Sequence, residues 1–206
     1  MSVPSDRHAD ATASVVRYYD THPINETQIL RALADRGIDP DAVTASELSL
    51  HDQDHFGGLD ANELLIAAAG IRPEHRVLDV CSGMGGPSRS LAHRVGCTVI
   101  GLDLTESRVE AARRLTRRVG LDDRVSFHLG SALDMPFDDA SFDVVIGQEA
   151  WCHVPDKARL VAECARVARP GGVIAFTDIL RRDGLTDDDM ARLAREMTFP
   201  VLGSLE

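Results

Sequence analysis

Three closely spaced glycines and two carboxylates carry the clearest chemical signal in this sequence. Gly83, Gly85 and Gly86 follow a short apolar run and precede a helical pattern. A turn of this kind lets a ligand press against bare backbone, beside the partial positive charge of a helix N-terminus. Asp79 lies inside the apolar run, and Asp103 ends a second run about 20 residues further on, where a nucleotide-binding α/β unit keeps the acid that holds ribose hydroxyls. The spacing predicts a site for a nucleoside-containing cofactor.

Alternating strands and helices surround this turn. The pattern predicts five strands, over 76–81, 97–103, 124–129, 142–147 and 172–178, and intervening helices over 86–95, 105–119 and 156–168. Such alternation with short loops is typical of an α/β fold, a Rossmann-like doubly wound sheet of mostly parallel strands with helices on both faces. Right-handed crossovers would bring the carboxyl ends of strands 1, 2 and 4 to one crevice.

The first 72 residues show no strand pattern, and helices are predicted over 10–20, 26–37 and 59–70. We interpret residues 1–72 as a helical cap or lid and residues 73–206 as the cofactor-binding domain. The only two tyrosines, Tyr18 and Tyr19, stand together at the end of the first predicted helix.

The segment H-D-Q-D-H-F-G-G separates two cap helices. It contains four residues of metal-ligating type, His51, Asp52, Asp54 and His55. No glutamate lies between the histidines and no further ligand is evident, so we predict no metal site. A solvated loop is one alternative. We favour a lid over the cofactor pocket, with Gly57 and Gly58 as a hinge and Phe56 as an apolar plug.

Composition narrows the class of protein. The chain has 206 residues, 44% of them hydrophobic, and a formal net charge of -11, which argues against nucleic acid as the main partner. No apolar run approaches the ~18 residues that a membrane span needs, and the N-terminus lacks the apolar core of a signal peptide. Four cysteines without C-x-x-C spacing indicate reduced packing residues. We therefore predict a cytoplasmic enzyme of one main domain.

The run V-L-D-V-C-S-G-M-G-G resembles motif I of the class I S-adenosylmethionine (SAM) methyltransferases, with Cys81 and Ser82 in the positions before Gly83. The resemblance implies that Asp79 orients the amino-acid end of SAM and that Asp103 holds its ribose. A dinucleotide site is the alternative, but the third glycine position of G-x-G-x-x-G holds Ser88. A nicotinamide-dependent oxidoreductase also lacks its Tyr-x-x-x-Lys group, because Lys157 is the only lysine.

Two later segments also resemble this family. G-S-A-L-D-M-P-F resembles the loop beside the adenine, with Ser131 in place of the usual Asp and with Asp134 as an alternative polar partner. F-D-V-V-I-G-Q-E-A-W-C-H-V-P-D resembles the segment that faces the sulfonium and the substrate. The implied cofactor site comprises Asp79, Ser82, Gly83, Gly85, Asp103, Leu104, Ser131, Ala132 and Gln148.

The same segment supplies the predicted catalytic residues, His153 as a base and Glu149 as an alternative acting through a water. The competing interpretation of His153 is a cap on the helix that begins near Pro155. Trp151 is predicted beside the sulfonium, because a cation favours an aromatic face. The predicted substrate and lid residues are Tyr18, Tyr19, His55, Phe56, Gly58 and Trp151. For an amino-acid acceptor, three arginines could face the carboxylate: Arg89, Arg181 and Arg182.

Q-E-A-W-C-H-V-P-D, A-F-T-D-I-L-R-R-D-G and the final G-S-L-E most resemble the sarcosine/dimethylglycine N-methyltransferase branch. This resemblance implies methyl transfer from SAM, with S-adenosylhomocysteine as product, to an amine nitrogen of a small molecule. O- or C-methylation of a small natural product and a non-catalytic SAM-binding protein are the alternatives.

The resembled fold has seven strands, and only five are predicted here, followed by a helix over 186–197. We therefore predict a shortened chain that lacks the C-terminal antiparallel hairpin. If the chain is complete, strand 5 is an exposed edge that would allow pairing in a homodimer.

Overall fold

The computed structural model describes residues 5–199 and residue 202. Four cap helices come first: α1 (Ser5–Asp20), α2 (Glu26–Ala34), α3 (Ala45–Leu48) and α4 (Gly58–Ala69). Alternating elements follow: β1 (Arg76–Val80), α5 (Gly86–Val95), β2 (Thr98–Asp103), α6 (Glu106–Arg118), β3 (Val125–Leu129) and β4 (Phe142–Gln148). A 3-10 turn (Trp151–His153) leads to α7 (Lys157–Val167), β5 (Ala168–Thr177) and α8 (Asp187–Glu196). The motif G-S-L-E at 203–206 lies outside the described residues.

The five strands form one parallel sheet in the order β3-β2-β1-β4-β5. In its centre, Leu78 of β1 is in register with Ile100 of β2 and with Val145 of β4. The chain runs from β1 to β2 and β3 on one side of β1 and then returns from β3 to β4 on the other side, so a crevice opens between the carboxyl ends of β1, β2 and β4. The predicted α/β class and the parallel sheet are confirmed.

The residues of β1 alternate between two apolar layers. Val77 packs with the cluster that includes Leu91 of α5, whereas Leu78 packs with the cluster that includes Leu160 of α7. Both β1 side chains are fully buried. Burial of such a side chain stabilises the fold by about 1.5–3 kcal/mol, so the strand that leads into the glycine turn is firmly anchored on both faces.

A third apolar cluster fixes the cap to the sheet domain. Ile29 and Leu33 of α2 and Leu48 of α3 pack against Leu115 of α6. At the end of α1, Ser107 of α6 donates a hydrogen bond of 2.6 Å to the carboxylate of Asp20. The cap is therefore held by α6, the helix that follows the predicted ribose acid.

Most element boundaries lie within three residues of the predictions, but α1 begins at Ser5 rather than at residue 10, and two further elements differ. Helix α3 was not predicted, although Thr44 and Glu47 form a reciprocal capping box at its start. Strand β5 begins at Ala168 rather than at residue 172, because Ala168 pairs with Phe142 before an irregularity in the β4–β5 register. None of the described helices is both long enough and apolar enough to cross a membrane.

Candidate active site

A cavity opens where the strands β1, β2 and β4 end, and the cap forms its roof. Counted together with its open mouth, it encloses about 1100 Å³. Its floor comes from the glycine turn and the loops after β2 and β3, and its roof comes from α1 and the segment 52–55. The cavity therefore lies where open α/β sheets bind their ligands, at the carboxyl ends of the strands.

The three glycines of the turn are required for different reasons. Gly83 and Gly85 have φ of 53° and 76°, in the left-handed region that other residues seldom adopt. A Cβ at Gly85 would also overlap the ring of Phe127. A Cβ at Gly86 would overlap the backbone carbonyl of Asp52, which belongs to the roof. The turn therefore has to be bare both for its own conformation and for the close approach of the cap.

Cys81 occupies a strained position at the start of this turn. Its φ is 64°, although it is not a glycine. A non-glycine residue held in such a region costs on the order of 1–3 kcal/mol and persists only where its surroundings fix it. The backbone N–H of Cys81 donates to the carbonyl of Leu102 at 2.8 Å, and this bond ties the turn to the end of β2.

Asp103 holds the turn as well as facing the cavity. One carboxylate oxygen accepts from the N–H of Gly83 at 2.8 Å, and the other accepts from the N–H of Thr105 at 2.9 Å. Burial raises the pKa of Asp103, while the bonds from Thr105 and Gly83 oppose that shift. The acid is positioned by the backbone before any ligand arrives.

Asp79 lies deeper, inside β1. Its carboxylate accepts a hydrogen bond of 2.5 Å from the hydroxyl of Ser88 in α5. Burial raises its pKa to about 6, although the bond from Ser88 lowers it. A buried acid with one hydroxyl partner favours a cationic group in the cavity, such as the ammonium of an amino-acid moiety.

The loop after β3 lies at the cavity as the sequence predicted, but only some of its polar residues line the cavity. Ser131 and Ala132 line the cavity. The hydroxyl of Ser131 accepts from the N–H of Leu133 at 3.1 Å. Asp134 makes a backbone bridge with Ser131 and is not among the cavity-lining residues. Leu104, directly after the ribose acid, adds an apolar wall.

Gln148 ends β4 inside the cavity with an unsatisfied side chain. It is 8% exposed, and neither its Oε1 nor its Nε2 has a partner among the described residues. A buried polar group left unpaired costs about 1–3 kcal/mol, so native structures provide it with a partner. Gln148 therefore has one donor group and one acceptor ready for a bound molecule, which fits the predicted cofactor site.

Tyr19 and His153 meet across the roof of the cavity. The hydroxyl of Tyr19, at the end of α1, lies 2.9 Å from Nε2 of His153. Nδ1 of His153 lies 3.1 Å from the carbonyl of Thr198. The hydroxyl of Thr198 also lies 3.0 Å from Nδ1. Because the Thr198 carbonyl can only accept, we assign the proton to Nδ1, which donates to that carbonyl, and Nε2 then accepts from Tyr19. Burial lowers the pKa of His153 and raises that of Tyr19, so the two groups form a neutral pair at pH 7. The alternative interpretation of His153 as a cap on α7 is not supported, because Asp156 caps that helix.

Glu149 joins the floor to the lid. Its carboxylate accepts from the N–H of Phe56 at 2.8 Å, and its own N–H donates to the carbonyl of Thr177 at 2.8 Å. Its φ of 52° is strained for a non-glycine residue. Glu149 lines the cavity, but in this arrangement its carboxylate fastens the lid.

The segment interpreted as a lid is also anchored by a buried ion pair. Asp52 accepts from Nη2 of Arg89 at 2.8 Å, and Arg89 is 3% exposed. The prediction that Arg89 is available for the carboxylate of an acceptor is therefore wrong. Arg181 and Arg182 are exposed and do not line the cavity. Asp54 and His55 line it, whereas His51 lies outside it, and no group of three metal-ligating side chains assembles among the described residues.

Several predicted substrate residues do not face the cavity. Phe56 is 77% exposed, so it is not a plug. Trp151 is 2% exposed and stacks on Phe176 at 4.3 Å, because the missing side chain of Gly147 leaves room for its indole. The prediction that Trp151 faces a sulfonium is therefore wrong. Tyr18 packs edge-on against Tyr19, and Gly58 begins α4; neither lines the cavity.

Sequence reasoning missed Arg108, a buried arginine that lines the cavity. A signal was present, because a positive residue in the first turn of a helix opposes the helix dipole and calls for another explanation. The sequence also did not reveal Asp52 as the buried ion-pair partner of Arg89.

Comparison with known proteins agrees with this geometry. Residues 78–176 match the family described as methyltransferase domain. Two curated relatives are a sarcosine/dimethylglycine N-methyltransferase of Halorhodospira halochloris, 39% identical over 65% of this chain and 48% of the relative, and a 24-methylenesterol C-methyltransferase of Oryza sativa subsp. japonica, 37% identical over 66% and 44%. The chain spans about half the length of the curated relatives that it matches.

A solved structure shows the same fold. It is the phosphoethanolamine N-methyltransferase 2 of Haemonchus contortus in complex with S-adenosyl-L-methionine, with a TM-score of 0.73 and 22% identity over 92% of this chain and 41% of the other. The parallel sheet, the glycine turn facing two acids and the family match together place residues 78–176 of this chain in the methyltransferase domain family, with a Rossmann-like fold.

Proposed function

We propose that this protein transfers a methyl group from SAM to an amine nitrogen of a small, sarcosine-like or dimethylglycine-like acceptor. The observation that carries the proposal is the placement of a tyrosine–histidine pair, Tyr19 and His153, over a cavity whose floor has the predicted cofactor residues. The relatives support methyl transfer in general. The N-methyltransferase among them favours nitrogen, and the sterol C-methyltransferase keeps carbon as the rival acceptor atom.

The floor would hold the cofactor. Asp103 would accept from the ribose hydroxyls, and Asp79 would pair with the ammonium of the methionine part. Gln148 would use its unpaired amide for the same end of the molecule or for the acceptor beside it. Bound SAM supplies an electrophilic methyl group, so this chain need only hold the acceptor in line and remove its proton.

The roof would handle that proton. An amine is nucleophilic only when it is deprotonated. His153 is kept neutral by burial, so its Nε2 accepts the proton that passes through the Tyr19 hydroxyl. The Nδ1–H group stays hydrogen-bonded to the carbonyl of Thr198, and this bond fixes the orientation of the ring during the transfer. Glu149 serves the lid in this scheme, since its carboxylate is bound to the N–H of Phe56.

Two experiments test the proposal. Isothermal titration with SAM tests the floor: Asp103→Ala should weaken binding by at least 100-fold, whereas Asp123→Ala, an exposed acid in the loop before β3, should leave it unchanged. Unchanged SAM affinity in Asp103→Ala would count against the site. Methyl-labelled SAM with glycine derivatives, phosphoethanolamine, phenols and a sterol then tests the acceptor, and label on a phenol or on carbon would replace the amine assignment.

A further inference from the structure

Arg108 is buried against the same tyrosine that meets His153. It lies in the first turn of α6 and is 4% exposed. Its Nη2 donates to the backbone carbonyl of Tyr19 at 3.2 Å, and its guanidinium lies 5.0 Å from the centre of the Tyr19 ring. A guanidinium over an aromatic face at this distance is attracted to it. One side chain thus contacts Tyr19 at two separate points.

The other buried arginine shows how unusual this arrangement is. The side chain of Arg89 makes five hydrogen bonds, two to Asp52 and three to oxygens of Met84, Ala112 and Thr116, so it ties several elements together. The side chain of Arg108 makes one hydrogen bond within the described residues, and that bond goes to Tyr19. Its charged neighbours are Asp54 of the lid, at 3.7 Å, and Asp103, whose pKa the guanidinium lowers against the effect of burial. The side-chain hydrogen bond and the aromatic contact of Arg108 therefore both go to one residue of the roof, Tyr19.

Tyr19 is consequently held at three points: its carbonyl and its ring face by Arg108, and its hydroxyl by His153. With the carbonyl and the ring both fixed, the hydroxyl has little freedom to leave Nε2 of His153. Reacting groups must be held to within a fraction of an ångström, so residues behind them matter.

We propose that Arg108 is a positioning residue for methyl transfer, which holds the Tyr19 hydroxyl against His153, and that Asp54 holds Arg108 from the lid side. The proposal rests on the proposed function, in which that pair removes the acceptor's proton. It also explains why a cation is buried near the start of α6, where the helix dipole disfavours it.

NMR spectroscopy of the Tyr19–His153 hydrogen bond tests this proposal without a methyl acceptor. The chain contains two tyrosines, so a Tyr18→Phe background leaves Tyr19 as the single phenol. In that background, ¹³C-labelled tyrosine and ¹⁵N-labelled histidine report the Tyr19 Cζ and His153 Nε2 resonances. Arg108→Met should move the Nε2 resonance at least halfway to the position found in Tyr19→Phe. Arg117→Met, an exposed arginine on the same helix, should move neither resonance.

Turnover gives a second readout once the labelled screen has supplied an acceptor. Arg108→Met should lower kcat by about tenfold while changing the KM for SAM by less than threefold, since misplacement at the reacting groups lowers rate rather than cofactor binding. Arg108→Lys, which keeps the charge but not the fork, should lie between the wild type and Arg108→Met.

The inference fails if Arg108→Met leaves both resonances in place, or if both Arg108 variants lose their folded circular dichroism, because Arg108 would then serve the fold alone. Failure of the proposed function is separate, since it would appear as absent SAM binding in the wild type while the Tyr19–His153 signature remained.

Discussion

The floor and the roof of the cavity are built in opposite ways. In the floor, Gly83 and Asp103 are 20 residues apart, and the backbone N–H of Gly83 donates to the carboxylate of Asp103. In the roof, Tyr19 and His153 are 134 residues apart, and Phe56 and Glu149 are 93 apart. The floor is a local strand–turn–helix unit with a second strand beside it, whereas the roof exists only when the cap has docked. Damage to the roof should therefore impair the chemistry and spare cofactor binding.

The largest effect is expected from removing the predicted base. His153→Gln should lower the methyl-transfer rate by about 10²–10⁴-fold, the usual worth of a positioned acid or base. SAM affinity, measured by calorimetry, should change by less than threefold. His128→Gln, on the exposed end of β3, is the matched control and should behave as the wild type. If His153→Gln lost SAM affinity by as large a factor as it lost rate, the proposed division of roles between floor and roof would be wrong.

The dependence of the wild-type methyl-transfer rate on pH also tests His153 as the base. Because burial lowers the pKa of His153 below its usual 6.5, the base is neutral throughout the neutral range. The rate should therefore stay level near pH 7 and fall only on acidification below the usual histidine range. A rate that fell already between pH 8 and pH 7 would show that another group accepts the proton.

The buried Arg89–Asp52 ion pair, which joins the lid to the sheet domain, should contribute more to the free energy of unfolding than an exposed ion pair does. Arg89→Met leaves the Asp52 carboxylate buried without its charged partner, so it should lower the free energy of unfolding by about 3–5 kcal/mol. Arg89→Met with Asp52→Asn should recover part of this loss. Arg94→Met removes the exposed pair with Glu63 and should cost less than about 1 kcal/mol. Urea denaturation measures all three, and equal effects at Arg89 and Arg94 would contradict the assigned role of the buried pair.

The contrast between floor and roof also sets what the sequence could predict. The turn, both acids and all five strands were predicted because each depends on neighbours in the chain. The orientation of Trp151 was not, because it depends on the space left by Gly147 and on Phe176 of β5. The roles of Arg89 and Arg108 depend on which cap residues dock beside them. A charge pattern within α5 or α6 does not encode that docking.

Asp79, in the floor, should make the free energy of unfolding depend on pH. The folded-state pKa of Asp79 is raised to about 6, so its carboxyl is accommodated best when it is protonated. Its contribution to stability is present below the unfolded pKa of 3.8 and is lost as pH rises through about 6. Asp79→Asn should therefore gain roughly 2–3 kcal/mol over the wild type between pH 4 and pH 7.5. Asp122→Asn, an exposed control, should show no such trend in urea titrations at the two pH values.

The smallest effect concerns the fastening of the lid. Glu149→Ala removes the acceptor of the Phe56 N–H, a bond whose worth at this partly exposed position is on the order of 1 kcal/mol. Hydrogen exchange of the Phe56 amide should become about fivefold faster, while Glu149→Gln, which keeps an oxygen acceptor, should change it less. Unaltered exchange in Glu149→Ala would show that the lid is held by its other contacts, among them the Arg89–Asp52 pair.

The central claim is that the glycine turn and Asp103 hold SAM below the Tyr19–His153 pair. A crystal structure of the protein grown with SAM tests it most directly. We expect the ribose hydroxyls on the carboxylate of Asp103, the methionine ammonium near Asp79 and the transferable methyl group facing Tyr19. Density for SAM elsewhere on the molecule, or in this cavity with its methyl group turned away from Tyr19, would contradict the account.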